Sequence, residues 1–124
     1  MSQRRYFWHL SPLEKWRWAG LRIRLALYPD DPQLVDEYLG VGRWLHLHGG
    51  HAAWPIASEA ARLLMATAAD PALPMYWRSL CLDNVYRPLD QLAQLAREDL
   101  QRLDLAQLRH RLARLDVSPA DGTA

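Results

Sequence analysis

Proline does most to limit what this chain can fold into. Eight prolines are spread through 124 residues, and most of them stand where a helix would begin. Proline has no N–H, so it breaks a helix interior or a central strand. It fits the first helical position, where that N–H would have no intrahelical partner. Ser11-Pro12-Leu13-Glu14 joins such a proline to a capping box, with Ser11 able to accept from the Glu14 N–H and Glu14 able to reach back to Ser11. Asp31-Pro32 repeats the pattern with Asp31 as the cap, and Pro55 opens a third segment. Asp70 to Pro74 breaks the chain before a fourth. Arg87-Pro88 closes that one, because the residue before a proline is pushed away from the α region.

Between these marks the apolar residues recur at spacings of three and four, the period of a helix. Leu13, Trp16, Gly20, Ile23 and Leu27 make one face of the first segment, and Trp18, Leu21 and Leu25 make a second. Two apolar faces imply two packing neighbours. Leu34, Tyr38, Val41 and Leu45 carry the second helix, which Gly49-Gly50 should end near His48. Ile56, Ala60, Leu63, Leu64 and Ala68 are the buried candidates of the third. The spacing predicts helices over 12–27, 32–48, 55–69, 74–87 and 89–115. In the last, the leucine stripe changes phase near Asp104, so it is either one long helix or two short ones with Asp104 as a cap. Over 74–87, Trp77, Leu80, Cys81 and Val85 are apolar on one side and Met75, Leu82 and Tyr86 on the other. A helix apolar nearly all round needs neighbours on several sides, which predicts this one at the centre. There is no alternating strand pattern and no repeat. The expectation is an all-α fold: one compact bundle of five or six helices over 1–116, followed by a flexible tail over 117–124.

Composition narrows function by exclusion. The net charge of +1 sets up no strong field for nucleic acid or an anionic membrane. No stretch approaches the roughly 18 apolar residues of a membrane span. The single cysteine, Cys81, has no internal disulfide partner, and no secretory leader pattern opens the sequence. Both point to a reducing, cytoplasmic setting. There is no glycine-rich phosphate loop and no paired acid/base spacing, so no enzyme reaction is indicated.

Several segments resemble the FagA family, small bacterial proteins encoded beside a fumarase and a manganese superoxide dismutase. The matching residues are Trp16-Arg-Trp18 with Arg22-Ile23-Arg24, Tyr28 to Pro32, Tyr38-Leu39 with Gly42-Arg43, and above all Ala72 to Leu89. They cover about the first 90 residues. The resemblance implies a role under iron limitation or oxidative stress, and it brings no catalytic residue with it.

His46, His48 and His51 are the one metal-like cluster. Imidazoles suit zinc, copper or nickel, or an open iron site. On a regular helix, however, His46 and His48 point about 200° apart, and a histidine at a helix C-terminus is favoured by the dipole alone. Cys81 is a candidate redox thiol or haem ligand, but its stripe with Trp77 and Val85 reads as core. Of six tryptophans, Trp8, Trp18, Trp44 and Trp54 are candidates for a protein interface, since large exposed aromatic residues mark such surfaces. A haem or flavin cleft is the competing use. The arginines at 4, 5, 17, 22 and 24 read as a solvated face. The chain is therefore expected to be a non-enzymatic accessory protein acting through a protein partner, with a homo-oligomer as one form that contact could take. No cofactor is expected. The alternative is a protein binding iron, zinc or haem through the histidines.

Overall fold

The computed structural model describes residues 10–117. Trp8 and residues 118–124 of the expected tail lie outside them. Six helices follow in order: α1 Pro12–Arg24, α2 Gln33–Leu47, α3 Ala53–Ala69, α4 Met75–Asn84, α5 Tyr86–Leu95 and α6 Asp99–Ala113. No strand occurs among the described residues, and the helices pack as an all-α bundle around one cluster of buried side chains.

α1 starts as its sequence dictates. The Glu14 N–H donates to the Ser11 hydroxyl at 3.1 Å, and the Ser11 N–H donates to the Glu14 carboxylate at 2.9 Å. It ends at Arg24 rather than Leu27. The Ala26 N–H returns to the Ile23 carbonyl and the Leu27 N–H to the Arg22 carbonyl, both at 3.0 Å. That is a Schellman ending, whose left-handed residue is Ala26 at φ +50°. Glycine usually fills that position, so no residue signal marked the stop.

At α2 the expected Asp31 side-chain cap is absent. Pro32 is the N-cap, and Asp31 contributes only its carbonyl, to the Leu34 N–H at 3.2 Å. The helix does stop at Leu47 with His48 as C-cap. Gly50, at φ +78°, turns the chain so that the His51 N–H reaches the Leu45 carbonyl at 3.1 Å.

The centre of the bundle is α3, which corrects the expectation for 74–87. α3 lies against α1, α2, α4 and α5 and reaches α6 through the Arg62–Asp104 ion pair at 2.7 Å. Its buried residues include Ala57, Ala60, Ala61 and Ala68. Their small side chains let neighbouring backbones approach from several directions. α4 is one-sided instead. Trp77, Cys81 and the adjoining Val85 are fully buried, while Met75 and Tyr86 are exposed. The Trp77 indole N–H donates to the Ile23 carbonyl at 2.9 Å and ties α4 to the end of α1.

α4 stops at Asn84, three residues before the expected Arg87. Pro88 is the cause, because its ring excludes the carbonyl four residues back, which is that of Asn84. Arg87 reaches across to Asp36 on α2 and, at 3.1 Å, to Asn84. The C-terminal segment is two helices, but they divide at 96–98 rather than at Asp104. The Gln101 side chain accepts from the N–H groups of Arg97 at 2.9 Å and Glu98 at 3.2 Å, closing the start of α6. The break leaves Leu100 and Leu103 exposed and turns Leu105 and Leu108 inward.

Candidate functional site

The three histidines lie in the last turn of α2, at its C-cap and in the loop that follows. His46 is half-buried in the last turn, with its Nε2 2.9 Å from the side-chain amide nitrogen of Gln91 on α5. His48 is exposed at the C-cap, its ring 6.3 Å from that of Trp44. His51 is half-buried beyond the glycine turn. Among the described residues, no three His, Cys, Asp or Glu side chains come together as a group that could hold a metal ion.

Cys81 is fully buried between α4 and its neighbours. Burial in apolar surroundings pushes its thiol up to about 12, because the thiolate would lose its water. At neutral pH it is a thiol, not a nucleophilic thiolate.

The tryptophans divide. Trp16 and Trp77 are core. Trp16 stacks on Tyr38 with centroids 4.9 Å apart and donates its indole N–H to the Tyr38 carbonyl at 2.9 Å. Trp54 is half-buried against the core. Trp18 and Trp44 remain 38% and 46% exposed. Trp18 stands with Leu21 and Leu25, which are 42% and 51% exposed, on one stripe of α1 opposite its buried face of Trp16, Gly20 and Ile23. The second neighbour that this stripe implied is absent among the described residues. Trp44 shares a similar stripe of the adjacent α2 with Val41, also exposed.

A groove of about 410 Å³ lies between α2 and α5. Both helices rest on α3 but barely touch each other. Ile56, Ala57 and Ala60 of α3 form the floor, with Gly42 and Trp16. Arg43, His46, Arg87, Asp90, Gln91 and Gln94 supply its polar groups.

Two features had no readable signal in the sequence. Arg78, a charged residue beside Trp77, is 2% exposed, with Nε donating to the Ala68 carbonyl at the end of α3 at 2.9 Å. The groove joins residues more than forty positions apart, and no periodicity shows that two helices will fail to close. No helix among the described residues is long and apolar enough to cross a membrane. Compared with protein-family models, with curated proteins and with solved structures, the chain matches none.

Proposed function

We propose that this protein is a non-enzymatic accessory factor that docks a protein partner on the outer surface of α1 and α2. The observation that carries the reading is the uncovered stripe of Trp18, Leu21 and Leu25. Scattered exposed apolar residues are ordinary, but a contiguous exposed stripe is a candidate contact surface, and tryptophan is the residue type enriched at interface centres. Exposed Val41 and Trp44 on the helix packed beside it extend the same kind of surface. The setting of iron limitation or oxidative stress rests on the FagA-like residues alone, and a cytoplasmic location on the single cysteine.

The double variant Trp18→Ser, Leu25→Ser tests it. Both side chains lie outside the core, so the melting temperature should stay close to that of the parent protein. Affinity capture from iron-starved cells should retain a discrete partner on the parent and lose it on the variant, while Leu100→Ser on α6 retains it. Equal capture by all three proteins would contradict the assignment of this surface.

A further inference from the structure

We propose that the groove between α2 and α5 is a binding site for a small apolar monocarboxylate, a function separate from the α1–α2 surface. Gly42 lets α2 press onto Trp16 and Ile56 at the groove's floor, since a Cβ there would sit 3.0 Å from the Trp16 indole nitrogen and 3.3 Å from Ile56 Cγ2. Ala57 and Ala60 continue the same low floor on α3. A volume of about 410 Å³ lies in the lower part of the range for small-molecule pockets, which are apolar with a few placed polar groups.

Two side-chain links also bridge the groove. Arg87 of α5 reaches Asp36 of α2, and Gln91 of α5 meets His46 of α2. These polar links span the gap without closing the backbones on each other.

The charges lining it select the ligand. Of the two arginines lining the groove, Arg87 is paired with Asp36, whereas Arg43 has no carboxylate partner among the described residues. A guanidinium offers a planar fork of donors that matches a carboxylate. Asp90 lines the same groove and does not pair with Arg43. Its charge disfavours a second anionic group nearby, so a monocarboxylate suits the groove better than a phosphate or a dicarboxylate. An aliphatic or aromatic body would lie on the floor of Ile56, Ala57 and Ala60, away from water.

Titration of the ¹⁵N-labelled full chain with octanoate tests this, with octanol as the uncharged match and succinate as the dianion. Octanoate should give saturable shifts at the Trp16 indole, Leu39 and Leu95. Octanol and succinate should bind at least about tenfold more weakly, the scale of one charge-assisted contact. Arg43→Gln, an exposed change, should weaken octanoate about tenfold and leave octanol unaffected. Absence of saturable shifts, shifts confined to the α1 stripe, equal binding of octanol, or octanoate binding indifferent to Arg43→Gln would each overturn the proposal.

Discussion

Adding one methyl group at either of two glycines should have opposite effects, and the contrast tests how α1, α2 and α3 meet. Gly40, on the exposed side of α2, has nothing within 4 Å of an added Cβ. Alanine there gains helix propensity and loses unfolded-state freedom, so Gly40→Ala should stabilise by about 1 kcal/mol. Gly20 on α1 gains the same propensity but meets the core. An added Cβ would lie 2.9 Å from both Leu63 Cδ1 and Tyr38 Cε1, and 3.3 Å from Tyr38 Cζ. Leu63 Cδ1 is the end of a half-buried side chain and can turn aside. The Tyr38 ring cannot, because it is buried and stacked on Trp16 with planes only 2° apart. Overpacking of this kind costs about 1–3 kcal/mol. Gly20→Ala should therefore be neutral to about 2 kcal/mol destabilising, and the two variants should differ by about 1–3 kcal/mol once the shared propensity cancels. Urea unfolding with unchanged m-values would measure both. Equal stabilisation by both alanines would refute the close approach of α1 to the Trp16–Tyr38 stack.

Three further outcomes follow from buried or paired groups. Arg78→Ala should cost about 2–4 kcal/mol, because it empties buried volume and strips the Ala68 carbonyl of its donor; a change under about 0.5 kcal/mol in urea unfolding would mean that Arg78 is peripheral. Cys81 should resist a thiol-specific alkylating reagent at neutral pH until urea unfolds the chain, since the group is buried and held as the thiol, and stoichiometric labelling of the native protein would contradict this. The Arg24 guanidinium, 2.7 Å away, and the Ala72 N–H hold the Asp70 carboxyl below its ordinary value. A depressed folded value means that the contribution is present above the unfolded value and is lost as pH falls through the folded one. Asp70→Asn should thus flatten the fall in melting temperature below about pH 4 and leave the slope at neutral pH unchanged; an unaltered acid limb would exclude the pair as a contributor.

Large residues with helical spacing made the fold legible. Ser11 and Glu14 closed the first helix as a capping box, and Gly49-Gly50 ended the second near the residue expected. What could not be read was set by small residues and by distance. The alanines of α3 carry little weight on a helical wheel, yet they allow it to sit at the centre, while the ring of apolar residues over 74–87 drew attention to α4. Pro88 acted on the carbonyl of Asn84 four positions earlier instead of on its immediate neighbour. Ala26 adopted a conformation for which glycine is the usual marker. Gln101 started α6 from its third position, a signal hidden among Arg97, Glu98 and Asp99. Of the candidate site residues, Trp18 and Trp44 are exposed on α1 and α2, and Trp54 is half-buried. The three histidines fall at the last turn of α2, at its C-cap and beyond the glycine turn, positions that the helix end at Gly49-Gly50 had indicated. Arg43 became notable only once α5 was placed opposite it.

Contact between the outer surface of α1 and α2 and another protein is open to direct test. Site-specific photocrosslinking in living, iron-starved cells addresses it most directly, with p-benzoylphenylalanine in place of Trp18, Trp44 or Arg109. All three positions are exposed, so none should disturb folding. The same discrete protein adduct should form from positions 18 and 44, and none from position 109 on α6. Adducts that are absent at 18 and 44, or equally strong at all three positions, would contradict it.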